Sequence, residues 1–178
     1  IKDYEQKGFG HFILGFEESY GYLKGTYARD KDAVSSSMLI AEMAAYYKSQ
    51  GMTLIDALNG IYAKYGYYYD CLETLVLKGK AGAEKICAAM SALRAEGGGL
   101  FDDIEHVSDY LTGIDDLPRE NVLRFEFNDG SWAAVRPSGT EPKLKLYFSV
   151  RGEDRRSAEQ RQKTIRNALF VVIDKIKV

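Results

Sequence analysis

Between Asn121 and Arg136 the chain has very little choice of structure. Leu123, Phe125 and Phe127 alternate with Arg124 and Glu126, a period of two that puts the apolar side chains on one face of a strand. Asn128-Asp129-Gly130 follows, a sequence suited to a tight hairpin turn, and Ser131–Arg136 returns as the partner strand. After a polar loop, Leu144–Val150 predicts a third strand. A sheet with one apolar face needs a cover, and Ile165, Leu169, Val172 and Ile176 supply an amphipathic helix from about Asp154 onward. The second half therefore reads as an α+β domain, an antiparallel sheet packed against helices.

The first half reads as a partial α/β domain in the order strand-helix-helix-strand-helix. His11–Phe16 is an apolar run of strand length, followed by a polar loop from Glu17 to Tyr22. Asp32 caps a predicted helix from Ala33 to Ser49 that Gly51 closes. Val34, Met38, Ala41 and Ala45 form its inner stripe, and Leu39, Ile40 and Met43 widen it, so burial on two sides is expected. Thr53-Leu54-Ile55-Asp56 resembles a capping box, and Ile55, Leu58, Ile61, Tyr62 and Tyr65 keep helical spacing as far as Gly66. Tyr67–Leu77, rich in aromatic and β-branched residues, predicts a strand. A third helix is expected over about Ala83–Ala95, with Ile86, Met90 and Leu93 on one face. Gly97-Gly98-Gly99 then marks the expected domain boundary, dividing residues 1–97 from 98–178, while Ile104–Leu111 fits either strand or helix.

Composition narrows the function classes. The 178 residues carry a formal charge of −2 and are 46% hydrophobic, enough for a core in one domain or two small ones. Near-neutral charge argues against a nucleic-acid partner, and the +4 excess over residues 151–178 is accounted for by a solvated helix face. There is no run of about 18 apolar residues, so no membrane span is expected. A signal-peptide pattern is missing too, and Cys71 and Cys87 lie in no zinc or C-x-x-C spacing, which suits reduced thiols in a cytoplasm. The sequence opens Ile1-Lys2-Asp3-Tyr4 without an initiator Met, and reads as a piece of something longer.

The loop Arg136-Pro137-Ser138-Gly139-Thr140-Glu141-Pro142-Lys143 is the most informative stretch. A phosphate dianion asks for short hydroxyl donors, free backbone N–H groups and fixed positive charge. Ser138 and Thr140 supply the hydroxyls, and Gly139 lets the backbone approach closely. Arg136 offers a bidentate fork, and Lys143 or Lys145 adds point charge. The spacing is not that of a Walker loop, and the same residues also make ordinary loops. Glu17-Glu18-Ser19 suits sugar hydroxyls, acid–base work or a plain strand-end loop. In Arg29-Asp30-Lys31-Asp32, capping accounts for Asp32 and surface charge for Lys31. Asp102, Glu105, His106 and Asp109 would share a face, as metal ligands do, only if that segment were a helix; no metal site is expected.

Three motifs in order, Gly15-Phe16-Glu17-Glu18-Ser19-Tyr20-Gly21, Arg29-Asp30-Lys31-Asp32 and Arg136 to Lys143, resemble those of the α-D-phosphohexomutases, in the phosphoglucomutase/phosphomannomutase branch. The resemblance covers essentially the whole chain. It implies an intramolecular phosphotransferase of the isomerase class that interconverts hexose 1-phosphate and hexose 6-phosphate through a bisphosphate. It also implies that residues 1–97 are the end of a third, sugar-binding domain and 98–178 a fourth, phosphate-binding one. The family's phosphoserine and D-G-D-x-D-R magnesium loop have no counterpart in this sequence. Mg2+ and the missing N-terminal domains are thus expected of the parent, with hexose 1,6-bisphosphate as intermediate and activator, and this piece alone is expected to be inactive. By the same resemblance Glu17 and Ser19 hold sugar hydroxyls. Arg136, Ser138, Gly139 and Thr140 grip the phosphate that is not reacting, with Lys145 at a position that is often Arg. Lys31 matches a lysine near the reacting end, with an electrostatic or acid–base role. The rival expectation is a stand-alone phosphosugar-binding or anion-binding module without catalysis. An incomplete third domain would leave a sheet edge open, so self-association is a further expectation.

Overall fold

The computed structural model describes residues 5–8, 10–17, 21–114 and 117–177. It contains two compact units, Ile1–Ile61 and Tyr62–Val178, and the division falls inside a helix. In the first unit β1 (Leu14–Glu17) pairs antiparallel with β2 (Gly21–Lys24), setting Gly15 opposite Leu23 and Phe16 opposite Tyr22. The sequence placed Gly21 and Tyr22 in a polar loop. Four residues are too few to show a period, and only pairing makes them a strand.

Helix α1 (Ala33–Ser49) has the expected bounds, and the Asp32 carboxylate accepts from the Val34 N–H at 3.0 Å. Its burial differs from expectation. Val34 is 83% exposed and Met38 63%, and the one buried residue is Ser36. The Ser36 hydroxyl donates to the carbonyls of Asp32 and Tyr22, tying the helix to β2. Periodicity states which face wants cover, but burial needs a second layer, and no described residue supplies one. Helix α2 (Leu54–Tyr65) opens with a reciprocal cap. The Thr53 N–H donates to Asp56 at 2.8 Å, and the Asp56 N–H donates to the Thr53 hydroxyl at 3.1 Å.

The second unit holds a five-stranded antiparallel sheet. Its strands are β3 (Tyr67–Val76), β4 (Ile104–Asp109), β5 (Leu123–Phe127), β6 (Trp132–Pro137) and β7 (Lys143–Gly152), in the order β3-β7-β6-β5-β4. The predicted alternation holds. Leu123, Phe125, Phe127, Leu144, Leu146, Phe148 and Val150 are all buried on one face. Helices α3 (Gly79–Glu96) and α4 (Arg155–Lys175) cover that face with Ile86, Met90 and Leu93 from one and Ile165, Leu169 and Ile173 from the other. This is the expected antiparallel sheet packed against helices.

The second unit also claims residues the sequence had assigned to the first part. β3 pairs along its whole length with β7, from Tyr67 opposite Gly152 to Val76 opposite Lys143. α3 sits in the same core, so the compact units do not divide at Gly97–Gly99, which forms a short 3-10 turn, Gly97–Leu100. The ambiguous segment is the strand β4, bulged between Ile104 and His106, so Asp102, Glu105, His106 and Asp109 do not form one helical face.

Gly82 shows how tightly α3 begins. A Cβ there would lie 2.1 Å from the Leu77 carbonyl oxygen. Alanine in a helix normally gains about 1 kcal/mol over glycine. Here the backbone clash is the larger effect, and Gly82→Ala is expected to destabilise the chain by about 1–3 kcal/mol. A lower urea midpoint at unchanged slope checks this; an unchanged or higher midpoint would contradict the close packing.

Candidate functional site

The loop from Ser138 to Pro142 joins β6 to β7 at one end of the sheet. Its base is closed by the Ser138 N–H donating to the Lys143 carbonyl at 2.8 Å. It is also tied to the neighbouring strand, because the Leu77 N–H donates to the Pro142 carbonyl at 2.9 Å. The loop and the adjoining end of β6 carry groups left over. The Gly139 N–H, the Thr140 hydroxyl and the Arg136 guanidinium have no partner among the described residues. Glu141, the nearest carboxylate in sequence, is occupied by Lys143 at 2.9 Å.

These groups face an open cleft of about 690 Å3, lined by Arg136, Ser138, Gly139 and Thr140 from the loop. Gly79, Lys80 and Cys87 of α3 and Glu120 and Asn121 before β5 complete it. All lie within the second unit. The sequence reading missed the residues outside the loop. Nothing local in the sequence marks Asn121, which reaches the cleft from just before β5. Lys145 does not line the cleft; it pairs with Arg136 across the β6–β7 ladder, and so sits on the same sheet face one strand away.

Asn121 is held from behind. Arg94 on α3 donates to the Asn121 side-chain oxygen at 2.6 Å and to Asp109 at 2.9 Å. Burial would push the Asp109 carboxyl up, yet Arg94 and the Leu111 N–H outweigh it and hold it below the usual carboxylate range.

In the first unit, Glu17 and Lys31 meet. The Lys31 ammonium lies 3.1 Å from Glu17 and 3.8 Å from Asp30, in a small cleft of about 180 Å3 that Gly15, Phe16 and Arg29 help to line. The hydrogen bond to Glu17 raises the Lys31 pKa, with charge from Glu17 and Asp30 adding to it. The Lys31 stem runs so close to Gly21 that a Cβ there would lie 2.0 Å from it. Ser19 and Glu18 lie outside the described residues. No group of three His, Cys, Asp or Glu suited to a metal ion occurs among the described residues, and no described helix is long and apolar enough to cross a membrane.

A helix-backed antiparallel sheet with unspent hydrogen-bond donors at one hairpin loop defines an α+β class of domain. Comparison with known proteins gives the family. The model of the phosphoglucomutase/phosphomannomutase C-terminal domain matches residues 33–167, and the chain belongs to that family. A phosphoglucomutase of Staphylococcus aureus is 41% identical over 156 residues, covering 79% of this chain and 28% of the relative. One from Staphylococcus haemolyticus is 37% identical over 172 residues, covering 89% and 31%. The chain thus spans less than a third of the length of these curated relatives. The open form of the Paramecium exocytosis-sensitive phosphoprotein pp63/parafusin, a phosphoglucomutase, superposes with a TM-score of 0.69. That match covers 97% of this chain and 32% of the other, and at 19% identity it shows a shared fold.

Two outcomes follow. Because the Asp109 pKa is lowered on folding, its contribution to stability is present at neutral pH and is lost as the pH falls through and below the carboxylate range, about 4. Asp109→Asn should lower stability at pH 7 and flatten that acid limb in urea titrations; an acid limb of unchanged slope would refute the coupling. The second outcome concerns the thiols. Burial, with Glu73 and Asp70, pushes Cys71 up to about 11, whereas Cys87 is exposed. Iodoacetamide at pH 7.5 should label Cys87 and spare Cys71 until the chain unfolds, as read by peptide mass spectrometry.

Proposed function

We propose that the chain is the substrate-recognition C-terminal portion of a cytoplasmic mutase that interconverts glucose 1-phosphate and glucose 6-phosphate through a bisphosphate. The observation that carries this reading is the set of unspent donors on one fixed loop, at Arg136, Gly139 and Thr140, with Ser138 beside them. Arg136 presents a fork, Gly139 a backbone N–H, and Ser138 and Thr140 hydroxyls. Together these read a phosphate dianion and little else of the molecule that carries it. In the proposed reaction the bisphosphate intermediate turns end over end, so the holder must accept either sugar phosphate. A site that reads only the dianion has that tolerance. Its binding energy positions the reacting phosphate, which is how non-reacting contacts speed the chemistry.

Glu17 would take sugar hydroxyls, with Ser19 assigned by resemblance alone. Lys31, paired with Glu17, stays cationic at neutral pH, which supports an electrostatic role over service as a free base. Lys145 adds charge behind Arg136. Magnesium would supply Lewis-acid chemistry in the parent, and no residue set described here fits it. The missing N-terminal domains would contribute that site, the phosphoserine and the cover for α1, whose apolar residues stand open. By resemblance, residues 1–97 belong to a third, sugar-binding domain and 98–178 to a fourth, phosphate-binding one.

A second reading, a phosphosugar-binding module acting without catalysis, is favoured by one fact: the loop and its cleft lie wholly within the second unit. Titration of glucose 1,6-bisphosphate into the isotope-labelled chain tests the site common to both. Saturable amide shifts at Ser138, Gly139 and Thr140 are expected, with millimolar affinity, about −4 kcal/mol. Arg136→Ala and Ser138→Ala should each weaken binding about tenfold, since each removes a charge-assisted hydrogen bond. Unchanged affinity in both variants would reduce the loop to ordinary surface. Mutase activity in a parent that joins this chain to the missing domains would then decide between enzyme and module.

A further inference from the structure

We propose that Asn121 is an additional phosphate donor of this site and that Arg94 is the residue that positions it. The inference rests on the phosphate-holding reading and extends it to a residue outside the loop. Arginine is a donor only, so the Asn121 atom facing it at 2.6 Å is the carbonyl oxygen. The side-chain NH2 therefore points elsewhere, and it makes no hydrogen bond with any described residue. Asn121, two residues before β5, lines the same cleft as Arg136, Ser138 and Thr140.

Arg94 cannot turn away to release it. The guanidinium is anchored by Asp109 at 2.9 Å, the Asp109 carboxylate also accepts from the Leu111 N–H at 3.1 Å, and the Arg94 side chain is only 19% exposed. A chain of hydrogen bonds thus runs from the end of β4 through α3 and fixes which end of an amide meets the ligand. An oxygen in that place would repel a phosphate, and a nitrogen attracts one.

Asn121→Asp separates the ligand role from a structural one. It keeps an oxygen for Arg94, so the network and fold survive, but replaces two donors by a carboxylate. In the glucose 1,6-bisphosphate titration, the Asn121 side-chain NH2 resonances should shift with the same midpoint as the Gly139 amide. Asn121→Asp should weaken binding at least about tenfold, or 1.4 kcal/mol, with no loss of thermal stability. Arg94→Lys keeps a donor but not the fork, and should broaden the Asn121 NH2 signals. Saturating shifts at Gly139 with a stationary Asn121 NH2 pair and unchanged affinity in Asn121→Asp would overturn the proposal and leave the phosphate loop standing. Absence of shifts at both would overturn the phosphate-holding reading itself, and this proposal with it.

Discussion

Because Val135 faces Leu146 and Ala133 faces Phe148 across β6 and β7, apolar burial clamps both strands in one register. A slip of one residue would turn Leu144, Leu146, Phe148 and Val150 out to solvent, so the register cannot drift. The loop between the strands inherits that rigidity at both ends, and the bond from the Leu77 N–H to Pro142 adds a third tether. The unspent donors at its tip are therefore held in place by the core beneath them. Loops with this support present groups to a ligand with little ordering cost. Substitutions at Phe125 or Leu146, far from the cleft surface, would loosen the same frame.

Sequence signals were strongest where the determinants are local. The alternation at Leu123–Phe127, the turn at Asn128-Asp129-Gly130, the Asp32 cap and the reciprocal pair of Thr53 and Asp56 all act within a few residues, and all four appear in the structure. What stayed hidden needs distant partners. β3 joins the sheet through β7, some seventy residues on, and no feature of Tyr67–Val76 names that partner. The same separation sets β3 and α3, which precede Gly97–Gly99, in one core with the strands that follow it.

The site followed the same rule. The hydroxyl, glycine and arginine groups of residues 136–140 sit together in the sequence, so their chemistry could be read as a set. Asn121 lines the same cleft from just before β5, and its orientation depends on Arg94, 27 residues away. Neither relation leaves a mark on the linear chain. The pairing of Glu17 with Lys31 was similarly invisible, since it depends on how β1 and the stretch before α1 come together.

The two units differ in how much of their own apolar surface they satisfy, and that difference has a consequence for dynamics. In Tyr62–Val178 a helix-covered sheet buries Phe, Leu, Ile and Val from three of its strands and two helices. In Ile1–Ile61 only Leu23, Ser36 and Gly21 are buried among the described residues, while Ile13, Phe16, Val34 and Met38 stand open. Protection against hydrogen exchange follows such burial. Amides of β5 to β7 should open only with global unfolding, and those of α1 through small local events. A chain graded in this way keeps the unit that carries the cleft intact while the other unit breathes.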